Sequence, residues 1–237
     1  EVMTPYYGSH TLEDKEYAQY IKELSLRGFE IGYHGASMNT RNREQVQESF
    51  NKFHDVLGYY PRSYASHAMN RENLYWGAAR FSSPLLRALY AILTKEETDY
   101  FQGHIEGSPF FWGDISKAYL DYVRSFTFCD INLLKIGNPL AYRNNKTPWV
   151  KNWFLTCDAD NVEDFNYLIS EHNQLILERQ RGICIVSTHL GKGFLKHGDV
   201  HPRTKKLLEE MIKKNGWFAP VSEVLDYLST YYTSDAI

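Results

Sequence analysis

Four short apolar segments of this sequence are each followed by a side chain that can do chemistry. His34 follows Phe29–Tyr33 (FEIGY), and His67 follows a weaker segment at 62–66. Asp158 follows WFLTC, with Asp160 two residues on, and His189 follows ICIVST. An imidazole titrates near neutral pH and can ligate a metal through one ring nitrogen while the other is held by a hydrogen bond. Two or three imidazoles with a carboxylate therefore suit a metal site. They suit general acid–base chemistry equally well. The competing role for a lone histidine after a strand is a loop or capping residue. Asp158 or Asp160 can likewise cap a helix starting near Asn161. The other histidines, His10, His54, His104, His172, His197 and His201, lack that setting, and His54 and His172 fall in mid-helix. The cluster Phe110, Phe111, Trp112 suits either a core or a platform for the C–H face of a sugar ring. Gly191-Lys192-Gly193 lacks the spacing of a phosphate-binding loop and reads as a close turn past the site.

These residues need elements to position them. Apolar spacing predicts helices over 13–27 and 43–57, stopped by Gly28 and Gly58. A buried helix is predicted over 83–93, opening at Ser83-Pro84. Further helices are expected over 115–126, 161–180, 203–214 and 221–228. Strands are expected over 29–33, 62–66, 128–136, 150–156, 183–188 and 217–219, the fifth a continuous apolar run suited to burial on both faces. Residues 94–114 read as a long loop, a length usually reserved for function. Strands alternating with helices predict an α/β fold with a parallel sheet, either a barrel or a doubly wound sheet. In barrels the C-terminal strand ends carry the chemistry. Six strands are fewer than the roughly seven or eight of a closed barrel, so one or two strands are expected before Glu1.

Composition narrows the field. The 237 residues show no repeat or linker and read as a single domain, 1–237. Lys and Arg number 26 and Asp and Glu 29, a net charge of −3, which excludes the basic field of a nucleic-acid binder. No apolar run reaches the roughly 20 residues of a membrane span, and no signal-peptide pattern opens the chain. Cys129, Cys157 and Cys184 form no CxxC pair and read as buried thiols rather than a disulfide frame, with a single bridge as the alternative. Together these features predict a cytoplasmic protein.

The order of segments resembles the polysaccharide deacetylase family (NodB-homology, carbohydrate esterase type). Arg27 to Met38 (RGFEIGYHGASM) is similar to the family's second motif, and Gly58 to Tyr64 sits where the third belongs. Trp153 to Asp160 (WFLTCDAD) resembles the fourth, and Gly182 to His189 (GICIVSTH) the fifth. Gly216 to Leu225 matches the family's tail, and the likeness runs from about residue 13 to 228. The resemblance implies a distorted (β/α)7 barrel of the TIM-like type. It implies metal-dependent hydrolysis of an acetyl group, on nitrogen or oxygen, of a carbohydrate. It implies a divalent metal, zinc in most members, with His34 as one ligand and His189 as the general acid. The first motif, with the base and one ligand, is expected upstream of Glu1, so residues 1–237 alone are expected to be inactive. The second family ligand falls on Met38, a soft thioether ill suited to zinc beside imidazole. The third-motif arginine falls on Ala65. His67 is the candidate replacement ligand, and Arg62 or Arg71 the candidate replacement arginine. Asp158, Asp160, Trp112 and Arg62 are the candidate substrate contacts. A family member that lost catalysis and binds a saccharide, or a partner of polysaccharide biosynthesis, is the alternative.

Overall fold

A computed structural model describes residues 10–67, 69–95, 97, 99–137 and 140–234, with backbone alone for 231–234. Residues 1–9 and anything before Glu1 lie outside the described residues. Helices begin where the sequence supplies capping groups. Helix α1 (Lys15–Leu26) starts at Asp14, whose carboxylate accepts from the amides of Glu16 and Tyr17. Helix α2 (Arg43–Leu57) starts with a reciprocal box in which Asn42 and Gln45 bond each other's backbone. It stops at Gly58, whose φ of 81° only glycine adopts without strain. Strands and helices alternate in a mixed α/β fold with parallel pairing, in two compact units.

The first unit takes residues 1–123 and 143–152. Its ladder starts at Tyr33, whose amide donates to Ser63 O at 2.8 Å, while the Ala65 amide donates to Tyr33 O at 3.0 Å. Both bonds fix a parallel bridge between Tyr33 and Tyr64. Strand β1 (Ser63–Tyr64) pairs in parallel with the start of β2 (Tyr122–Phe128), Ser63 opposite Tyr122 and Tyr64 opposite Val123. The α2 face packs on this ladder: Phe50 is fully buried, its ring 4.5 Å from Tyr33 and 5.9 Å from Trp112. Helix α3 (Pro84–Thr94) and helix α4 (Gly113–Tyr119) complete the unit's long helices.

The second unit takes residues 124–142 and 153–237. The rest of β2 lies beside β4 (Asn152–Asp158), and the Ser125 hydroxyl donates to Phe154 O. Strand β3 (Ala141–Tyr142) runs antiparallel to the start of β4. Strand β5 (Val186–Ser187) runs parallel to its end, Cys157 opposite Val186 and Asp158 opposite Ser187. Phe154, Leu155, Ile169, Leu207 and Leu225 fill the core between these strands and helices α5 (Val162–Leu168), α6 (Glu171–Arg179), α7 (Pro202–Ile212) and α8 (Val221–Ser234). A small hairpin, β6 (Leu195–Lys196) and β7 (Asp199–Val200), turns at His197 and Gly198. Both turn residues have positive φ, as a tight two-residue hairpin requires. Among the described residues no helix is long and apolar enough to cross a membrane.

Several sequence expectations need correction. The strand expected over 29–33 is one bridge at Tyr33. Helix 115–126 ends at Tyr119, and the alternating YVRSFTF that follows is β2; the strand expected over 128–136 gives way to a short 3-10 turn at Leu133–Lys135. Helix 161–180 breaks at Ile169–Ser170. There the side chains of Asn173 and Gln174 donate to the carbonyls of Tyr167 and Ile169, replacing bonds the ladder gives up. The run 183–188 is half-buried, with only two residues paired in β5. Residues 217–219 are irregular, with Trp217 and Phe218 exposed. Helix α3 forms as expected from its Ser83 cap, yet Leu85, Leu86, Leu89, Ile92 and Leu93 are exposed rather than buried. Cys129 is exposed and Cys184 half-buried, so Cys157 alone is the expected buried thiol.

His104 is a structural histidine. It accepts from the Tyr75 amide through Nδ1 at 3.1 Å and its ring lies 4.1 Å from that of Tyr75. Burial lowers its pKa to about 4. The unfolded chain binds a proton here below about pH 6.5, which the folded chain refuses until about pH 4. Stability contributed by the neutral ring is present above that window and is lost as pH falls through it, by on the order of 3 kcal/mol. Burial raises the Glu72 carboxyl, which opposes the trend. Urea unfolding at pH 7 and pH 4.5 should therefore show a smaller acid loss in His104→Asn, which keeps an acceptor for Tyr75, than in the unaltered chain.

Candidate functional site

The parallel bridge at Tyr33 carries the next residues of both segments to one place. His34 follows Tyr33, and its Nδ1 lies 2.7 Å from Ala65 O. A carbonyl only accepts, so Nδ1 carries a proton in this bond. The His67 ring stands edge-on to His34 with centroids 5.0 Å apart. Gly35, at φ 119°, turns the chain away at once, and a side chain there would meet the His67 Cβ at 3.8 Å. Beneath the pair lies a polar layer. The Asn73 amide donates to His67 O, and the Asn70 amide donates to Ser37 O and to Glu72 Oε1. Glu72 is 3% exposed, and burial holds its carboxyl above the usual range. The two imidazoles line a cleft of about 250 Å³ with Met38, Tyr17, Glu13 and Lys52.

A carbonyl on one ring nitrogen is a hydrogen bond that metal-binding histidines commonly make. A catalytic zinc site takes about three protein ligands, and this pair supplies two imidazoles. Among the described residues no group of three or more His, Cys, Asp or Glu is placed to hold a metal.

The second unit carries the other imidazole. His189 lies two residues beyond β5, and Asp160 two beyond β4. The Ala159 amide donates to Ser187 O and holds these strand ends in register. His189 Nδ1 is 2.8 Å from Asp160 Oδ1 and 3.3 Å from Asp160 O. Lys192 Nζ reaches both carboxylate oxygens, at 2.8 and 2.7 Å. Lys192 first, and His189 beside it, hold the Asp160 carboxyl below the usual range. A carboxylate on Nδ1 orients an imidazole, leaving Nε2 for a proton transfer. The group is half-exposed, so its value is orientation rather than stability.

The remaining sequence candidates part from these two centres. Trp112 is 1% exposed and packs edge-on to Tyr64 at 5.2 Å, with its indole N–H donated to Glu72 O. It is a core ring, not a sugar platform. Arg62 stands at the start of β1, at the end away from Ala65, and its Nε donates to Asp121 Oδ2 at 2.8 Å. Arg71 lies between the rings of Tyr100 and Phe110. Asp158 ends β4 exposed, and Asn161 rather than either aspartate caps α5. Lys192 was legible only as part of a turn; a lysine three residues beyond the strand-end histidine was the available signal.

No protein-family model, curated protein or solved structure matches this chain.

The Lys192 ammonium dominates the shift at Asp160. In Lys192→Met the Asp160 carboxylate should titrate closer to the ordinary value, read from its side-chain carbonyl carbon resonance against pH. An unmoved midpoint would remove Lys192 from the group.

Proposed function

We propose that this chain is a divergent hydrolase of the polysaccharide deacetylase type, acting on an acetyl group carried by a carbohydrate. The imidazole pair of His34 and His67, with the His34 tautomer set by Ala65, is the observation that carries it. The parallel pairings within each unit, Tyr33 to β1 to β2 and β4 to β5, are the feature of the α/β fold that is consistent with that family. On this proposal His34 and His67 hold a divalent metal, zinc by the resemblance. A bound metal polarises the acyl carbonyl and lowers the pKa of a water. The resemblance gives His189, in the second unit, the role of general acid, a proton donor to a departing nitrogen or oxygen. Asp160 keeps that imidazole oriented, and Lys192 keeps Asp160 ionised and in place. Water and the acetylated sugar thereby yield acetate and the free amine or alcohol.

A second assignment, a saccharide-binding member without turnover, is favoured by Met38 in the cleft where the family has a histidine. Acetate release separates the two. The full-length protein with zinc should release acetate from an N-acetylated or O-acetylated oligosaccharide. His189→Ala should abolish release, and Asp160→Asn should lower kcat by roughly 10²-fold or more with little change in KM. Saccharide binding with no acetate from the unaltered protein would leave the binding assignment.

A further inference from the structure

Two thiols far apart in sequence meet inside the second unit. Cys157 is fully buried in β4, and its Sγ lies 3.4 Å from that of Cys184, on the segment entering β5. Both are free thiols. The backbone places them there, because the Cys157 amide donates to Ile185 O at 2.7 Å and Cys157 stands opposite Val186 in the parallel register. A disulfide needs sulfurs about 2.0 Å apart. The sulfurs must therefore close about 1.4 Å from their reduced separation of 3.4 Å.

We propose that Cys157 and Cys184 form a reversible disulfide, a redox-modification site that clamps β4 to the strand leading to His189. The two thiols differ in access. Cys184 is half-buried and Cys157 is closed to solvent, so a small-molecule disulfide reaches Cys184 first. The Cys184 thiolate attacks one sulfur of that disulfide and expels its other half as a thiolate. Cys157, deprotonated, then attacks Cys184 Sγ and expels the second half. Two protein thiols are oxidised, the small disulfide is reduced to two thiols, and the protons pass to those leaving groups. In the reduced pair the S–H of Cys184 points at Cys157 and holds the Cys157 thiol below its ordinary pKa; that hydrogen bond is gone once Cys184 is in the mixed disulfide, and the closing attack rests on the nearness of the two sulfurs. The same contact and burial push Cys184 up, so the opening attack should quicken as pH rises. Cys129 is exposed and serves as an internal control for the oxidant.

The test equilibrates the native full-length protein in oxidised and reduced glutathione, then alkylates it in denaturant and digests it with trypsin. Arg179 and Arg181 separate the two cysteines into different peptides. The expected result is loss of alkylation at both Cys157 and Cys184, a single linked peptide pair lighter by two hydrogens, and full recovery on reduction. In Cys157→Ala the exchange should stop halfway, with glutathione retained on Cys184. Alkylation of both cysteines under conditions that load glutathione onto Cys129 would overturn the proposal. So would a bridge from either of them to Cys129. The outcome does not depend on any turnover, so it stands or falls apart from the hydrolase assignment.

Discussion

The register of one parallel bridge governs what this chain can do. Tyr33 gives its amide to Ser63 and takes the amide of Ala65, and those bonds fix where the next residue of each segment goes. His34 then lies against Ala65 O, and His67 is two residues further along. A slip of one residue would turn Tyr33 out of the core and His34 into it, because side chains alternate faces along extended backbone. The core resists that slip. Tyr33 is buried against Phe50, Tyr64 and Trp112, and truncating a ring such as Phe50 typically costs about 3–5 kcal/mol. The apolar face of α2 thereby holds a polar pair in place on the other side of the backbone.

The second unit repeats the device with different groups. Cys157 and Ala159 bond to Ile185 and Ser187, and the strand ends that emerge carry Asp160 and His189. In both units the ladder ends just before the histidine. Backbone beyond a ladder is free to turn, while the residue that leaves it inherits a fixed starting point. An exposed imidazole acquires a defined tautomer and direction in this way without being buried.

The helical parts of this arrangement could be read from the sequence in proportion to how local their causes are. Helix α2 has its cap, apolar face and glycine stop between Asn42 and Gly58, and it spans the expected range. Helix α3 has a serine cap and apolar residues as well, yet its leucines are exposed; periodicity shows which face is apolar and says nothing of what covers it. In the segment 115–128 a short helix and a strand lie within three residues of each other, too close for an apolar pattern to mark where one period ends and the other begins. Strand-end histidines were legible as a pattern of positions. That His34 meets His67 rather than residue 38 depends on long-range pairing, which no spacing along the chain encodes. The burial of Trp112 and the role of Lys192 have the same origin, since their partners lie 40 and 32 residues away.

The account rests on His34 and His67 acting as one site. Ring resonances of both histidines, followed while zinc is added to the full-length protein, test that most directly. The two rings should shift together, saturate at the same zinc concentration, and lose that response jointly when either is replaced by alanine. Independent responses, or a His34 shift that survives His67→Ala unchanged, would contradict the claim.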